Sequence, residues 1–150
     1  MKHLVENWMT KHPLKIDVNE DVDCAADIMR DEAVRHLVVT NHDHLVGVIS
    51  KKDLAAVEKI RAKFQGLDCL NVKITAGDLM GRHPLTISGK ATMAEAIRIM
   101  NDKGFHSLPV LDEYGRLRGI LTSADIIRYA LVASQHMEIN LPLAKLTKGF

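Results

Sequence analysis

Residues 104–125 read GFHSLPVLDEYGRLRGILTSAD, and residues 33–53 read AVRHLVVTNHDHLVGVISKKD. Both stretches hold two apolar runs around a polar turn, and both end with a hydroxyl residue three positions before an aspartate. Leu37–Thr40 and Leu45–Ser50 flank Asn41–His44, while Leu108–Leu111 and Leu117–Thr122 flank Asp112–Gly115. Short apolar runs around an Asn, Asp or Gly turn predict strand, turn, strand.

Working outward, the same correspondence continues. Upstream lie Val22, Ala25, Ala26 and Met29 in one copy and Met93, Ala96, Ile97 and Met100 in the other. Both sets follow the i, i+3, i+4, i+7 spacing of one buried helix face. Asp21 is the predicted N-cap of the first helix, and Thr92 with Glu95 a predicted capping box for the second. Further upstream, WMTKHPLKI (Trp8–Ile16) matches LMGRHPLTI (Leu79–Ile87), with a first strand predicted over Leu14–Val18 and Leu85–Ile87. Downstream, each copy enters a second helix, through Leu54, Val57, Ile60, Ala62 and Phe64 or through Ile126, Ile127, Tyr129, Ala130 and Leu131.

The copies are offset by 71 residues, and by 72 after one extra residue near Gly115. Across residues 8–43 and 45–53, 14 of 45 aligned pairs are identical, which establishes an internal duplication. Each half reads strand–helix–strand–strand–helix. At about fifty residues a half is marginal on its own, so the two should pack together about a pseudo-two-fold axis. The expected class is α/β, of the α+β type. The expected boundaries are a first repeat over 1–64, a linker over 65–76, a second repeat over 77–134 and a tail over 135–150.

Composition narrows the function classes. Lys plus Arg total 20 against 19 Asp plus Glu, a net charge of +1 that lacks the basic bias of a nucleic-acid binder. No stretch approaches the roughly 20 apolar residues that cross a bilayer. The N-terminus has no apolar signal core, so a cytoplasmic location is expected. Cys24 and Cys69 have no metal-type spacing and read as reduced, buried thiols. His42-x-His44 offers two imidazoles without a third ligand and reads as a polar turn. The seven methionines read mostly as core filler. No nucleophile–base pair, convincingly spaced carboxylate pair or Walker loop is present, so no enzyme is expected.

The duplicated pattern resembles the CBS domain, which typically occurs as a tandem pair. The resemblance spans residues 4–131, is most specific over Gly104–Asp125, and is greatest to stand-alone bacterial pairs similar to the acetoin-utilisation regulator. It implies a regulatory module with two clefts between the repeats. Such clefts take adenine-containing ligands such as AMP, ADP, ATP or S-adenosylmethionine, with none obligatory. It also implies a homodimer that acts on an unknown protein partner. The alternative is a dimerisation or interaction scaffold that binds no nucleotide.

The resemblance assigns candidate residues. Asp53 and Asp125, each three positions after Ser50 or Thr122, would accept hydrogen bonds from ribose hydroxyls. An ionised carboxylate offers two acceptor oxygens to a vicinal diol, and a helix start favours phosphate. The same spacing is also a helix capping box. Thr10 and Pro13, with Pro84 in the second copy, belong to segments that would offer polar groups to ligand; Gly81 stands where Thr10 does and brings only backbone. Val48 and Ile120 would flank adenine. Arg35 and His36, with His106 at the repeat position of Arg35, would face phosphate. Val38 stands where the second copy has Pro109, so the two clefts are expected to differ.

Overall fold

The computed structural model describes residues 3–64 and 73–136. Its elements follow the duplicated order, with additions at the start of each copy. A 3-10 helix (Val5–Asn7) precedes β1 (Thr10–Lys11), β2 (Lys15–Asp17), α1 (Val22–Asp31), β3 (His36–Asn41), β4 (His44–Ser50) and α2 (Lys51–Lys63). The second copy runs α3 (Ala76–Leu79), β5 (Gly81–Arg82), β6 (Ile87–Ser88), α4 (Met93–Lys103), β7 (Ser107–Leu111), β8 (Leu117–Thr122) and α5 (Ser123–His136). The 3-10 helix, α3, β1 and β5 are too short to leave a periodic signal. Ala76, placed in the linker by sequence, opens α3 behind a reciprocal Thr75–Asp78 capping box.

The two four-stranded sheets are β2-β3-β4-β5 and β6-β7-β8-β1. Each copy therefore gives its lead-in strand to the other copy's sheet. β1 pairs antiparallel with β8, Thr10 opposite Ile120, and β5 pairs antiparallel with β4, Gly81 opposite Val48. Backbone bonds reinforce the exchange: the Val5 N–H donates to Ala91 O (2.9 Å), and the Ala76 N–H to Glu20 O (2.7 Å). The packing units are consequently discontinuous in sequence. Val5, Trp8 and Met9 pack with Ile87, Met93, Met100, Leu108, Val110 and Leu121. Ala76, Leu79 and Met80 pack with Ile16, Ala25, Met29, Leu37, Val39 and Ile49.

Two glycines make the exchange possible. A Cβ on Gly47 would sit 2.8 Å from Gly81 O, and one on Gly119 2.7 Å from Thr10 O. The lead-in strands thus cross β4 and β8 where no side chain projects, and the partner strands shift register just beyond, at Val39/Thr40 and Val110/Leu111.

The helices α1 and α4 bury the expected face, Val22, Ala25 and Met29 in one and Met93, Ala96 and Met100 in the other. Asp21 caps α1, accepting from the Asp23 N–H at 2.8 Å. Thr92 caps α4 through the Glu95 N–H at 3.2 Å, but the return bond of the predicted box is not made. Cys24 is exposed, contrary to expectation, because it falls outside the buried helical stripe; Cys69 lies outside the described residues. On α2 only Val57 is buried, and Ile60 and Phe64 face outward. Ile127 and Leu131 of α5 are likewise exposed. No helix among the described residues is long and apolar enough to cross a membrane.

Candidate functional site

Strand exchange brings the start of one copy against the β4–α2 corner of the other. A cavity of about 320 Å³ opens there, and six of the twelve candidate residues line it: His36, Val48, Ser50, Asp53, Pro84 and His106. Arg82, His83, Leu85, Phe105 and Pro109 complete the wall: Arg82 and His83 belong to the expected Gly81–Pro84 lead-in and Phe105 to the turn that carries His106, while Leu85 and Pro109 are additions to the expected set. The missing information was the exchange itself. Gly81–Leu85 reaches Asp53 only because β5 joins the first copy's sheet. Thr10, for the same reason, sits on the other sheet, opposite Ile120.

Asp53 is held by its own helix start. Its Oδ2 accepts from the Ser50 N–H (2.8 Å) and the Ser50 hydroxyl (2.8 Å), and Ser50 Oγ accepts from the Asp53 N–H (3.2 Å). The expected capping box is present, and it occupies one carboxylate oxygen. Oδ1 accepts no hydrogen bond among the described residues, while Asp53 faces the cavity. Capping and ligand contact are thus compatible in this copy.

The second copy differs at one atom. Asp125 Oδ2 accepts from the Thr122 N–H (2.9 Å) and hydroxyl (3.1 Å), but Oδ1 accepts from Arg128 Nη2 at 3.0 Å. The same Nη2 donates to Trp8 O at 2.7 Å, and Asp125 is only 4% exposed. The repeat position of Arg128 in the first copy is Ala56, which has no donor to spend on Asp53. An Asp–Arg pair three apart on a helix is a recognisable signal, and the sequence carried it. Asp125, Thr122, Thr10, Pro13, Ile120 and Arg35 do not line the 320 Å³ cavity. Arg35 is exposed, its carbonyl accepting from the Lys51 N–H.

The cavity gathers cationic and titratable groups. His36, His83, His106 and Arg82 all line it. Burial pushes the His36 imidazole below its ordinary range, nearby His106 adds to this, and Asp53 pulls the other way. The fold therefore favours the neutral form of His36. His106 is anchored through its carbonyl, which accepts from the Ser123 N–H (3.1 Å) and hydroxyl (3.3 Å). His83 and His12 both adopt a left-handed φ, 51° and 50°, immediately before their prolines. A residue before proline ordinarily stays extended, so each of these steps is a strained bend, the kind of backbone outlier that marks functional segments.

His42 and Asp43 form the tight β3–β4 turn, both with positive φ (48° and 64°). No group of three or more metal-ligating residues is gathered among the described residues.

The class these features define is an intrachain pair of β-α-β-β-α repeats, locked by exchanged strands around a Ser-x-x-Asp cleft. The chain belongs to the CBS domain family: the family model matches residues 5–59 and 76–132. It is similar to the chloroplastic CBS domain-containing protein CBSX2 of Arabidopsis thaliana, 30% identical over 138 residues. That match covers 78% of this chain and 58% of CBSX2, and the chain spans about half the length of the first curated relatives it matches. The crystal structure of CBSX2 in complex with AMP superposes with a TM-score of 0.72 at 30% identity, covering 89% of this chain and 99% of that one. The CBS domain pair of protein MJ0100, in complex with 5′-methylthioadenosine and S-adenosyl-L-methionine, gives 0.72 at 28% identity, covering 85% and 98%. A putative acetoin utilisation protein from Vibrio cholerae shares the fold, with a TM-score of 0.75 at 23% identity, covering 89% and 97%.

Proposed function

We propose that this chain is a regulatory module whose Asp53 cleft binds an adenine-containing ligand and passes its occupancy to a partner protein. The observation that carries the reading is the unpaired Oδ1 of Asp53 facing a cavity of about 320 Å³. That volume lies in the range of small-molecule sites. Relatives crystallised with AMP and with S-adenosylmethionine support the ligand class. Asp53 would accept from the ribose hydroxyls while Ser50 holds its other oxygen. Val48, Leu85 and Pro109 would flank adenine. Arg82, His83 and His106 would receive the phosphate, and Gly81–Pro84 would add backbone groups. ADP, ATP and S-adenosylmethionine remain in the ligand set with AMP.

The exposed apolar residues Ile60, Phe64, Ile127 and Leu131 support a homodimer through α2 and α5. The free, exposed Cys24 fits a reducing compartment such as the cytoplasm. The role is binding rather than catalysis, and no nucleic acid or membrane is needed for it. One observation favours the scaffold reading instead: Asp125 is already sealed by Arg128, so the second copy's aspartate acts as a structural latch.

Native mass spectrometry with AMP, ADP, ATP and S-adenosylmethionine tests the proposal. The expected spectrum is a dimer carrying one adenine-containing ligand per chain, lost in Asp53→Ala and kept in Asp125→Ala. A dimer that ignores the whole panel would establish the scaffold reading.

A further inference from the structure

A larger groove, of about 680 Å³, lies at the hairpin end of the second copy and shares no lining residue with the Asp53 cleft. Met9, Leu111 and Leu117 give it apolar surface, and the cations Lys11, Lys90, Arg116 and Arg118 surround them. We propose that this groove is a second ligand site, one that takes a small organic or inorganic polyanion bearing phosphate or carboxylate groups.

The charges within the groove divide unevenly. Arg116 is paired with Asp112 (2.9 Å) and Lys90 with Glu113 (3.6 Å). Lys11 and Arg118 have no carboxylate partner among the described residues, although they stand on the paired strands β1 and β8. Lys11 lies opposite Gly119, the residue next to Arg118, so the two uncompensated cations meet at one end of the β1–β8 pair. Of the lining carboxylates, Glu6 in the 3-10 helix has no ion-pair partner among the described residues.

The rim is also built in advance. Asp112 Oδ1 accepts from the Tyr114 and Arg116 N–H groups (2.9 Å each), which fixes the turn. Within that turn the Arg116 guanidinium lies 4.9 Å from the centre of the Tyr114 ring. An aromatic ring and a planar donor fork are thus held at the mouth before any ligand arrives, which lowers the ordering cost of binding.

The duplication supplies a control. The repeat positions of Lys90, Arg116 and Arg118 in the first copy are Asn19, His44 and Val46. The repeat position of Lys11 is Arg82, which lines the Asp53 cleft instead. The charged groove is therefore not a by-product of the fold, because the same fold without those residues occurs beside it in one chain.

Amide NMR titration with inorganic pyrophosphate and, separately, citrate tests this, with adenosine saturating throughout. The expected result is saturable shifts at Lys11, Lys90, Arg116 and Arg118 with at least one anion. The double variant Lys11→Gln/Arg118→Gln should bind at least tenfold more weakly, and Glu6→Gln more tightly. Whichever anion binds better identifies the phosphate or carboxylate source. No saturable shift, shifts confined to the Asp53 cleft, or equal affinity in the double variant would each overturn the proposal. Adenosine binding is read in the same spectra, so failure of this site and failure of the Asp53 reading are distinguishable.

Discussion

Replacing Asp125 with alanine should cost this protein stability, whereas replacing Asp53 should cost it ligand. Asp125 is 4% exposed and accepts three hydrogen bonds, from the Thr122 N–H, the Thr122 hydroxyl and Arg128. Thr122 holds the N-cap position, so the carboxylate's own part is the return bonds from the Thr122 N–H and hydroxyl. Leaving these part-buried donors unpaired costs about 2–3 kcal/mol together. The ion pair adds little, because the Arg128 side chain is 58% exposed and surface pairs contribute under about 1 kcal/mol. The total is about 2–3 kcal/mol for Asp125→Ala. Asp53→Ala keeps the Ser50 cap and loses only the return bonds from Ser50, in a more open setting, about 1 kcal/mol. For a chain of this size each kcal/mol lowers Tm by roughly 2–4 °C. Thermal unfolding should therefore separate the variants, with Asp125→Ala several degrees below Asp53→Ala. Calorimetric titration with AMP should show the reverse ranking. Equal melting temperatures, together with AMP binding lost in Asp125→Ala, would refute the assignment of Asp125 as a latch.

Further outcomes follow from the same contacts. Val5 is fully buried in the second copy's core, so Val5→Ala should cost about 2 kcal/mol; amide shifts should cluster at Met93 and Leu108 rather than at Leu37, which reads the strand exchange directly. Gly47→Ala or Gly119→Ala should destabilise by about 1–3 kcal/mol in urea unfolding, since the added carbon meets a crossing backbone. Ala33 holds φ at 51° where the second copy has Gly104, so Ala33→Gly should raise stability, by about 1 kcal/mol at most. His36 has its affinity for a proton lowered in the fold, so below about pH 6.5 the unfolded chain takes up the proton more readily than the native one. Its stabilising contribution is full above that pH and is lost as pH falls towards the depressed native value. Urea midpoints between pH 7.5 and 5 should decline less steeply in His36→Gln.

Much of the fold was legible because the longer elements carry strong periodicity and appear twice. The α1 and α4 faces, both hairpins and the Ser50–Asp53 box follow from spacing alone. The exchanged strands did not, because two residues such as Thr10–Lys11 or Gly81–Arg82 are paired by long-range topology rather than local preference. Without the exchange, the sequence does not say which lead-in segment faces which aspartate: Gly81–Leu85 lies beside Asp53, and Thr10 lies on the other sheet. The difference between the clefts was visible in principle. Arg128 stands three residues beyond Asp125, and Ala56 three beyond Asp53. What the sequence lacked was the position of Trp8 O, which draws Arg128 over the second aspartate. Cys24 was misjudged because an apolar neighbourhood in sequence is not the buried phase of a helix.

The central claim is that an adenine ligand occupies the Asp53 cleft. A crystal structure of the protein grown with AMP tests it most directly. The expected density is one nucleotide per chain, its ribose hydroxyls on Asp53 Oδ1, its base against Val48 and its phosphate among Arg82, His83 and His106, with the Asp125–Arg128 pair intact. A nucleotide seated on Asp125 with Arg128 displaced, or an empty Asp53 cleft at saturating AMP, would contradict it.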